Sequence, residues 1–290
     1  MPMPGNALPP SPPRDAEQLL QLIEQEYEKL PRQLKLVARY LSSHSERIMV
    51  ERISDIARAC NVQPSAIVRF CQRLGFSGYS EMQGLFRQAY TSKASPAQSY
   101  SQRIRNVIAD NSEKASSISL ASECIQATLA GIQRLNHELD EQTFNNAVEL
   151  VVAADSIHVV GARRSFAVAD YLVYNLQHTD KRVNLITGLG AGSLQEVRSV
   201  RPGDLVIAVS FSSYAEETQA CVNVAQARGA KTLVITDSTL SPLARQADAV
   251  LLVNEGASFA FRSLSATLCL CQALFIAVAY RLELKVDGGP

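Results

Sequence analysis

The spacing of the apolar residues changes between residues 153 and 156, and this change limits the folds that the chain can adopt. Before that point apolar residues recur at helical spacing, as in the stretch from Leu34 to Leu41. After it, short apolar runs alternate with polar loops and helical stretches. Continuous apolar runs are typical of strands covered on both faces, so the repeated order of strand, loop and helix predicts a doubly wound parallel sheet. The predicted strands contain Ile157–Val160, Val183–Ile186, Leu205–Val209, Leu233–Ile235 and Val250–Val253.

The helical half of the chain carries a concentration of positive charge. The net charge of the whole chain is zero, yet Lys29 to Lys93 contains eleven Lys and Arg residues and four Asp and Glu residues. A basic segment within a neutral protein is typical of a nucleic-acid-binding module. A basic surface that only faces solvent is the alternative.

The segment Ile53–Leu74 has the spacing of a helix-turn-helix. That motif needs a small residue where two helices touch, a left-handed turn residue four positions later and an apolar residue six positions beyond. Ala57, Asn61 and Ile67 have these offsets. Asn tolerates the left-handed conformation, and Pro64 suits the first position of the second helix. The alternative is a helical bundle with a basic surface.

The second helix of this motif predicts the DNA contacts. Its apolar stripe contains Ile67 and Phe70, so the remaining positions are expected to face outward. Arg and Gln side chains can bind guanine and adenine edges in the major groove, and a small residue lets a helix lie deep in it. The predicted DNA-binding residues are Gln63, Ser65, Ala66, Arg69, Gln72, Arg73 and Arg58.

Two loops of the α/β half are rich in hydroxyl groups and lead directly into helices. They are Gly161–Asp170, after the first predicted strand, and Ser210–Thr218, after the third. Ligands bind at the carboxyl ends of parallel strands, and helix N-termini with serine side chains favour anions. Helix capping by the serines is the alternative. The predicted ligand-binding residues are Gly161, Arg163, Ser165, Ser210, Ser212 and Ser213.

These features resemble the RpiR-type regulators, which join an N-terminal helix-turn-helix to a SIS (sugar isomerase) domain. The resemblance extends from about residue 17 to residue 285. It implies a sequence-specific DNA-binding transcription regulator whose DNA affinity is controlled by a phosphorylated sugar or sugar derivative. It also implies that Ser165, Ser210 and Ser212 bind the phosphate. The resemblance rests on Leu30–Leu41, Ile53–Met82, Gly161–Ser165, Ser210–Thr218 and Ile235–Asp248.

The chain departs from the family pattern in both loops. The first commonly reads G-x-G-x-S, and Arg163 occupies the position of the second glycine. The second commonly reads S-x-S-G-x-T, and Ser213 and Ala215 replace its glycine and threonine. One hydroxyl is lost and one cation is added, which indicates an acidic or multiply charged sugar derivative.

We therefore expect an α + α/β protein with two domains. An all-helical helix-turn-helix domain is followed by a doubly wound, parallel, five-stranded SIS-type α/β domain. The expected ranges are a disordered leader over 1–14, the helix-turn-helix domain over 15–91, a linker and connecting helix over 92–125, and the SIS domain over 126–290.

Two other functions remain open. The first is an aldose–ketose isomerase, which needs a base beside the substrate carbon. The candidates are His158, His178, Glu217 and Glu255, although a core, capping or surface role suits each of them. The second is a scaffold that uses its SIS domain only to dimerise.

The expected partners are double-stranded DNA with a palindromic operator, a sugar-phosphate effector and further copies of the chain in a homodimer or homotetramer. A single helix-turn-helix reads too few base pairs, and two-fold symmetry matches a palindrome. We expect no metal, because none of the six cysteines forms a C-x-x-C pair, and no nucleotide cofactor, because neither a dinucleotide-binding glycine pattern nor a P-loop is present. The apolar run Leu264–Ala279 is too short for a bilayer core of about 30 Å, so we expect a cytoplasmic protein.

Overall fold

A computed structural model describes Pro13, residues 16–43, Ile48, and residues 51–92, 116–258 and 261–282. The chain divides into two compact units, Met1–Asp110 and Asn111–Pro290. None of the helices in the described ranges is both long and apolar enough to cross a membrane. The predicted leader, apart from Pro13, and residues 93–115 of the predicted linker lie outside the described residues.

The described part of the first unit is helical. Its apolar stripes meet in one core, where Leu19, Ile56 and Phe70 have no accessible surface. The helices are α1 (Ala16–Glu26), α2 (Arg32–Ser43), α3 (Ile53–Cys60), α4 (Pro64–Arg73) and α5 (Tyr79–Ser92), and a 3-10 turn over Tyr27–Lys29 follows α1.

The second unit contains a five-stranded parallel sheet with the order β2-β1-β3-β4-β5. This confirms the predicted doubly wound fold. The strands are β1 (Ser156–Gly161), β2 (Arg182–Ile186), β3 (Leu205–Val209), β4 (Lys231–Thr236) and β5 (Ala249–Leu252). The helices around them are α6 (Ser117–Glu138), α7 (Glu141–Ala153), α8 (Ser165–Leu176), α9 (Ser193–Val197), α10 (Glu216–Ala227) and α11 (Ser265–Arg281).

The sheet separates two hydrophobic cores. Along β3, Leu205, Ile207 and Val209 face the core formed with α7, α8 and α11, whereas Val206 and Ala208 face the core formed with α9 and α10. Successive side chains of a strand point to opposite faces, so a strand buried on both faces must be apolar at every position. The continuous apolar runs in the sequence have this origin.

A two-stranded hairpin that the sequence did not predict precedes α11. Its strands are β6 (Ala257–Ser258) and β7 (Phe261–Arg262). The base of the hairpin packs closely on α6, because a Cβ atom added to Gly256 would clash with the carbonyl oxygen of Ala127. The expected boundary between the connecting segment and the SIS domain, at residues 125 and 126, falls within α6. The domain boundaries stay a prediction.

Candidate nucleic-acid interface and ligand site

The turn between α3 and α4 has the geometry that the helix-turn-helix spacing predicts. Asn61 is left-handed, with φ 53° and ψ 47°. Its N–H donates to the Arg58 carbonyl at 3.2 Å, and the N–H of Val62 donates to the Ala57 carbonyl at 2.9 Å. These two bonds end α3 in a Schellman motif. Pro64 is the first residue of α4. An N–H group at this position has no acceptor within the helix, so proline, which lacks one, loses no hydrogen bond there.

The structure places most of the predicted DNA-binding residues on one exposed face. The side chains of Ser65, Arg69 and Gln72 are exposed on α4, as is Gln63 directly before it. Ile67, Phe70, Cys71 and Leu74 are buried on the opposite side. Base contact by these residues stays a prediction.

The expectation that Ala66 faces outward is wrong. Ala66 has no accessible surface. It precedes Phe70 by four residues, and residues four apart lie on the same face of a helix. Its methyl group therefore packs into the core beside Ile67, so this side chain is unavailable to DNA.

The remaining two predicted arginines make contacts within the protein. The Arg58 guanidinium lies 3.9 Å from the carboxylate of Asp55, and its side chain is 82% exposed. Arg73 donates from Nη2 to the carbonyl of Lys29 at 3.4 Å. That second bond connects the end of α4 to the segment before α2, so Arg73 has a structural role beside any contact with DNA.

Two side chains of α5 hold the segment that enters α3. The Tyr79 hydroxyl oxygen lies 3.1 Å from the carbonyl oxygen of Ile48 and 3.0 Å from that of Glu51, so its single proton is shared between the two acceptors. The Gln83 amide donates to the same two carbonyls at 2.7 and 3.0 Å. Sequence reasoning identified Tyr79 only through the family resemblance, because these bonds join residues about thirty positions apart.

In the second unit, the strand order locates the crevice in which such sheets bind ligands. From β1 the chain passes to β2 on one side and then to β3 on the other. Sheets with this order bind ligands outside the carboxyl ends of the strands, at the point where the direction reverses. That point lies between β1 and β3, where Gly161 pairs with Val209. The two predicted ligand-binding loops therefore begin side by side.

The loop after β1 packs closely on the start of α8. A Cβ atom added to Gly161 would lie 2.6 Å from the carbonyl oxygen of Ser165, so a larger residue would push helix and strand apart. Ser165 is the first residue of α8 and is buried. Arg163 is exposed and has φ 56°, a left-handed conformation that suits the glycine common in the family.

The loop after β3 is held by its own serines. The Oγ of Ser210, which is 2% exposed, accepts a hydrogen bond from the N–H of Ala215 at 3.3 Å. The N–H of Ser212 donates to the carboxylate of Asp237 at 3.1 Å. Ser212 and Ser213 are half-buried. The structure thus brings the predicted residues together, and their contact with a ligand stays a prediction.

Sequence reasoning missed three residues of this edge. Asp237, directly after β4, accepts hydrogen bonds from the hydroxyl of Tyr214 at 3.0 Å and from Arg262 at 3.1 Å. Burial raises the pKa of the Tyr214 phenol, and the charge of Asp237 raises that pKa further. An acid directly after a buried strand was a usable signal for Asp237. The sequence contained no such signal for Arg262, because only the folding of the hairpin places this residue at the carboxyl edge of the sheet.

Two of the four residues considered as isomerase bases, His158 and Glu255, make structural contacts. His158 lies within β1 away from its carboxyl end, 3.7 Å from Asp204, and burial lowers its pKa despite that carboxylate. Glu255 accepts hydrogen bonds from the N–H groups of Ala266 and Thr267, so it caps the start of α11. In the described part of the chain, no cluster of side chains suits a metal ion, and the six cysteines are free thiols.

Comparison with known proteins places both units. Residues 17–93 match the helix-turn-helix domain of the rpiR family, and residues 150–277 match the SIS domain. The HTH-type transcriptional regulator HexR of Pseudomonas aeruginosa is 28% identical over 230 residues, which cover 78% of this chain and 75% of HexR.

Two solved structures share the fold. The Vibrio vulnificus NanR protein complexed with ManNAc-6P has a TM-score of 0.55 at 21% identity, covering 91% of this chain and 92% of NanR. The sugar isomerase domain of an RpiR transcription factor from Sphaerobacter thermophilus has a TM-score of 0.53 at 29% identity, covering 56% of this chain and 90% of that domain. With a helix-turn-helix of the rpiR family joined to a SIS domain, this chain belongs to the RpiR-type transcriptional regulators.

Proposed function

We propose that the chain binds a specific DNA sequence through α4 and that a phosphorylated sugar, bound at the carboxyl edge of its sheet, controls that binding. One observation carries the DNA half of this proposal. The second helix of a helix-turn-helix with a left-handed Asn61 turn presents Ser65, Arg69 and Gln72 outward, while its other face is buried. Such a helix fits the major groove, where Arg and Gln discriminate between base pairs.

The sheet supports the effector half. Both predicted loops flank the crevice between β1 and β3, where α8 and α10 begin on opposite faces of the sheet. Helix N-termini and serine hydroxyls favour a phosphate there. NanR, which has the same fold, is complexed with ManNAc-6P, and this supports the ligand class. The exposed Arg163 favours an effector with a further acidic group.

A dimer or tetramer and a palindromic operator belong to the same proposal. Three exposed side chains on α8 and α11 offer apolar surface for a second copy: Tyr174 at 61%, Ile276 at 56% and Tyr280 at 84%. Two copies would read two half-sites of a palindrome. The proposed place of action is the cytoplasm, and the proposed domains are residues 15–91 and 126–290.

The effector would act by its preference for one arrangement of the DNA-binding domains. The change in DNA affinity cannot exceed the difference in effector affinity between the two arrangements. Whether the effector strengthens or weakens DNA binding then depends on which arrangement it prefers.

Selection of bound duplexes from a random pool tests the DNA half. We expect an inverted repeat to be enriched, and its affinity to change when phosphorylated sugars are added. Matched pairs with and without a carboxylate, such as 6-phosphogluconate and glucose 6-phosphate, test the need for an acidic group. Failure to enrich any sequence at low salt would contradict the proposal.

We propose no second function. The His158 imidazole lies away from the ligand edge, and the Glu255 carboxylate caps a helix, so neither is placed as a substrate base. The His178 ring contacts Tyr174 edge-on, and Glu217, exposed in the first turn of α10, is the candidate base that the following assay chiefly tests. Incubation with pentose and hexose phosphates tests this directly, and aldose–ketose conversion at enzymatic rates would overturn the proposal.

A further inference from the structure

A groove of about 520 Å³ lies beside the exposed face of α4. It is formed by the start of α2 and by one side of α4. Three of its six lining residues are arginines, and none is acidic. The lining residues are Pro31, Arg32, Gln33, Leu34, Arg69 and Arg73.

The two walls of this groove are joined firmly. Arg73 donates to the carbonyl of Lys29, which connects the end of α4 to the segment before α2. On α2, Leu34 is buried in the core of the unit. Arg32 and Arg69 are therefore carried by elements that cannot easily move apart.

Nearby acidic side chains are paired with lysines. The carboxylate of Glu26 lies 2.8 Å from Lys29 Nζ, and that of Glu28 lies 2.6 Å from Lys35 Nζ. Within the described ranges, no acidic side chain forms an ion pair with Arg32 or Arg69. The groove thus keeps a positive charge next to the surface proposed to read DNA.

We propose that this groove binds a backbone phosphate of the DNA and that Arg32 is its principal contact. The inference rests on the proposed DNA-binding function and adds a residue outside the predicted DNA-binding set. A duplex held against the exposed face of α4 brings its sugar-phosphate backbone to the sides of that helix. A guanidinium binds phosphate through two parallel hydrogen bonds, and such contacts set the register of a protein on the duplex without reading sequence.

Salt dependence distinguishes a phosphate contact from a base contact. Affinity for DNA falls as the salt concentration rises. Each phosphate contact makes the slope of log affinity against log salt concentration steeper by about 0.9. We expect Arg32→Ala to weaken binding to a labelled duplex of mixed sequence and to reduce this slope by about one for each bound DNA-binding domain. Fluorescence anisotropy titrations of the labelled duplex with the full chain, over a series of KCl concentrations, measure the affinity and its salt slope.

Two variants control for charge and for folding. Arg32→Lys keeps the cation and should retain most of the slope. Lys29→Ala removes the same net charge close by, but this side chain pairs with Glu26 and does not line the groove, so the slope should stay unchanged. Arg32 is exposed, and the thermal midpoints of all variants should match that of the wild type. If Arg32→Ala fails to fold, Arg32→Gln takes its place.

The outcomes separate this inference from the proposed function. If the wild type binds no duplex at low salt, the proposed function fails. If the wild type binds but Arg32→Ala retains the full slope, only the groove inference is overturned. An equal reduction in Lys29→Ala would also overturn it, because general charge would then explain the effect.

Discussion

Arg262 Nη1 lies 3.1 Å from Asp237 Oδ2 and also donates to the carbonyl of Ser212 at 3.3 Å. One guanidinium therefore joins the hairpin, the loop after β4 and the loop after β3. Arg164, in the loop after β1, donates to the carbonyl of Arg262 at 3.0 Å. Both predicted effector loops are thus connected to a hairpin that packs on α6, the first described helix after the DNA-binding unit.

Removing the charge of Asp237 should loosen this network. Its carboxylate accepts hydrogen bonds from Ser212, Tyr214 and Arg262, so we expect Asp237→Asn to lower the free energy of unfolding by about 1–3 kcal/mol. The effector response should weaken, while DNA binding without effector stays at the wild-type level. Chemical denaturation and anisotropy titrations measure these effects. Arg245→Gln, at an exposed arginine elsewhere in the unit, serves as the control. An unaltered effector response would show that Asp237 does not contribute to the effector site.

Truncation of Arg69 should reduce sequence discrimination. Its side chain is exposed on the outer face of α4, and an arginine that reads a base contributes roughly 1–3 kcal/mol. We expect Arg69→Ala to weaken binding to a selected operator much more than binding to mixed-sequence DNA. Arg198→Ala, at an exposed arginine of the second unit, should leave both affinities unchanged. Operator affinity equal to that of the wild type would rule out a base contact by Arg69.

Removal of the Ser212 hydroxyl should abolish the effector response without unfolding the loop. The bond from Ser212 to Asp237 comes from the backbone N–H, which alanine retains. Ser212→Ala should therefore keep the wild-type thermal midpoint and DNA affinity but lose the midpoint increase that an effector causes. Ser199→Ala, whose hydroxyl donates to the Glu196 carbonyl outside this edge, provides a matched control. A normal effector response in Ser212→Ala would remove this hydroxyl from the site.

The stability of the second unit should fall on mild acidification because of His158. Burial lowers the pKa of this imidazole in the folded chain, although Asp204 opposes the shift. The unfolded chain then binds a proton at a higher pH, at about 6.5, than the folded chain does. The stabilisation from neutral His158 is present above that pH and is lost as the pH falls through the folded value. Chemical denaturation of the wild type and His158→Gln between neutral and weakly acidic pH measures this effect. The free energy of unfolding should depend less on pH in the variant. An equal pH dependence in both proteins would show that His158 is not its cause.

Local residue pattern determined the helix-turn-helix and the five strands of the parallel sheet. The change of apolar spacing predicted five strands, because a strand covered on both faces must be apolar throughout. The offsets of Ala57, Asn61 and Ile67 predicted the helix-turn-helix. Asn61 and Pro64 predicted its turn, because left-handed geometry and a missing N–H restrict which residues fit. The same reasoning failed for Ala66, since a small apolar residue is compatible with either face of a helix and only packing beside Phe70 assigned it to the core.

Long-range packing decided the chemistry of the ligand edge. Ser212, Asp237 and Arg262 lie 25 residues apart in succession, and they meet because parallel strands end at one edge and the hairpin folds back onto it. Strands of two residues have no periodicity from which to predict them. The sequence by itself therefore determined the five-stranded sheet, the helix-turn-helix and the two loops, through backbone preference and apolar pattern. Only the tertiary structure decided which polar groups those loops contact, because hydrogen bonds between distant residues depend on how the elements pack.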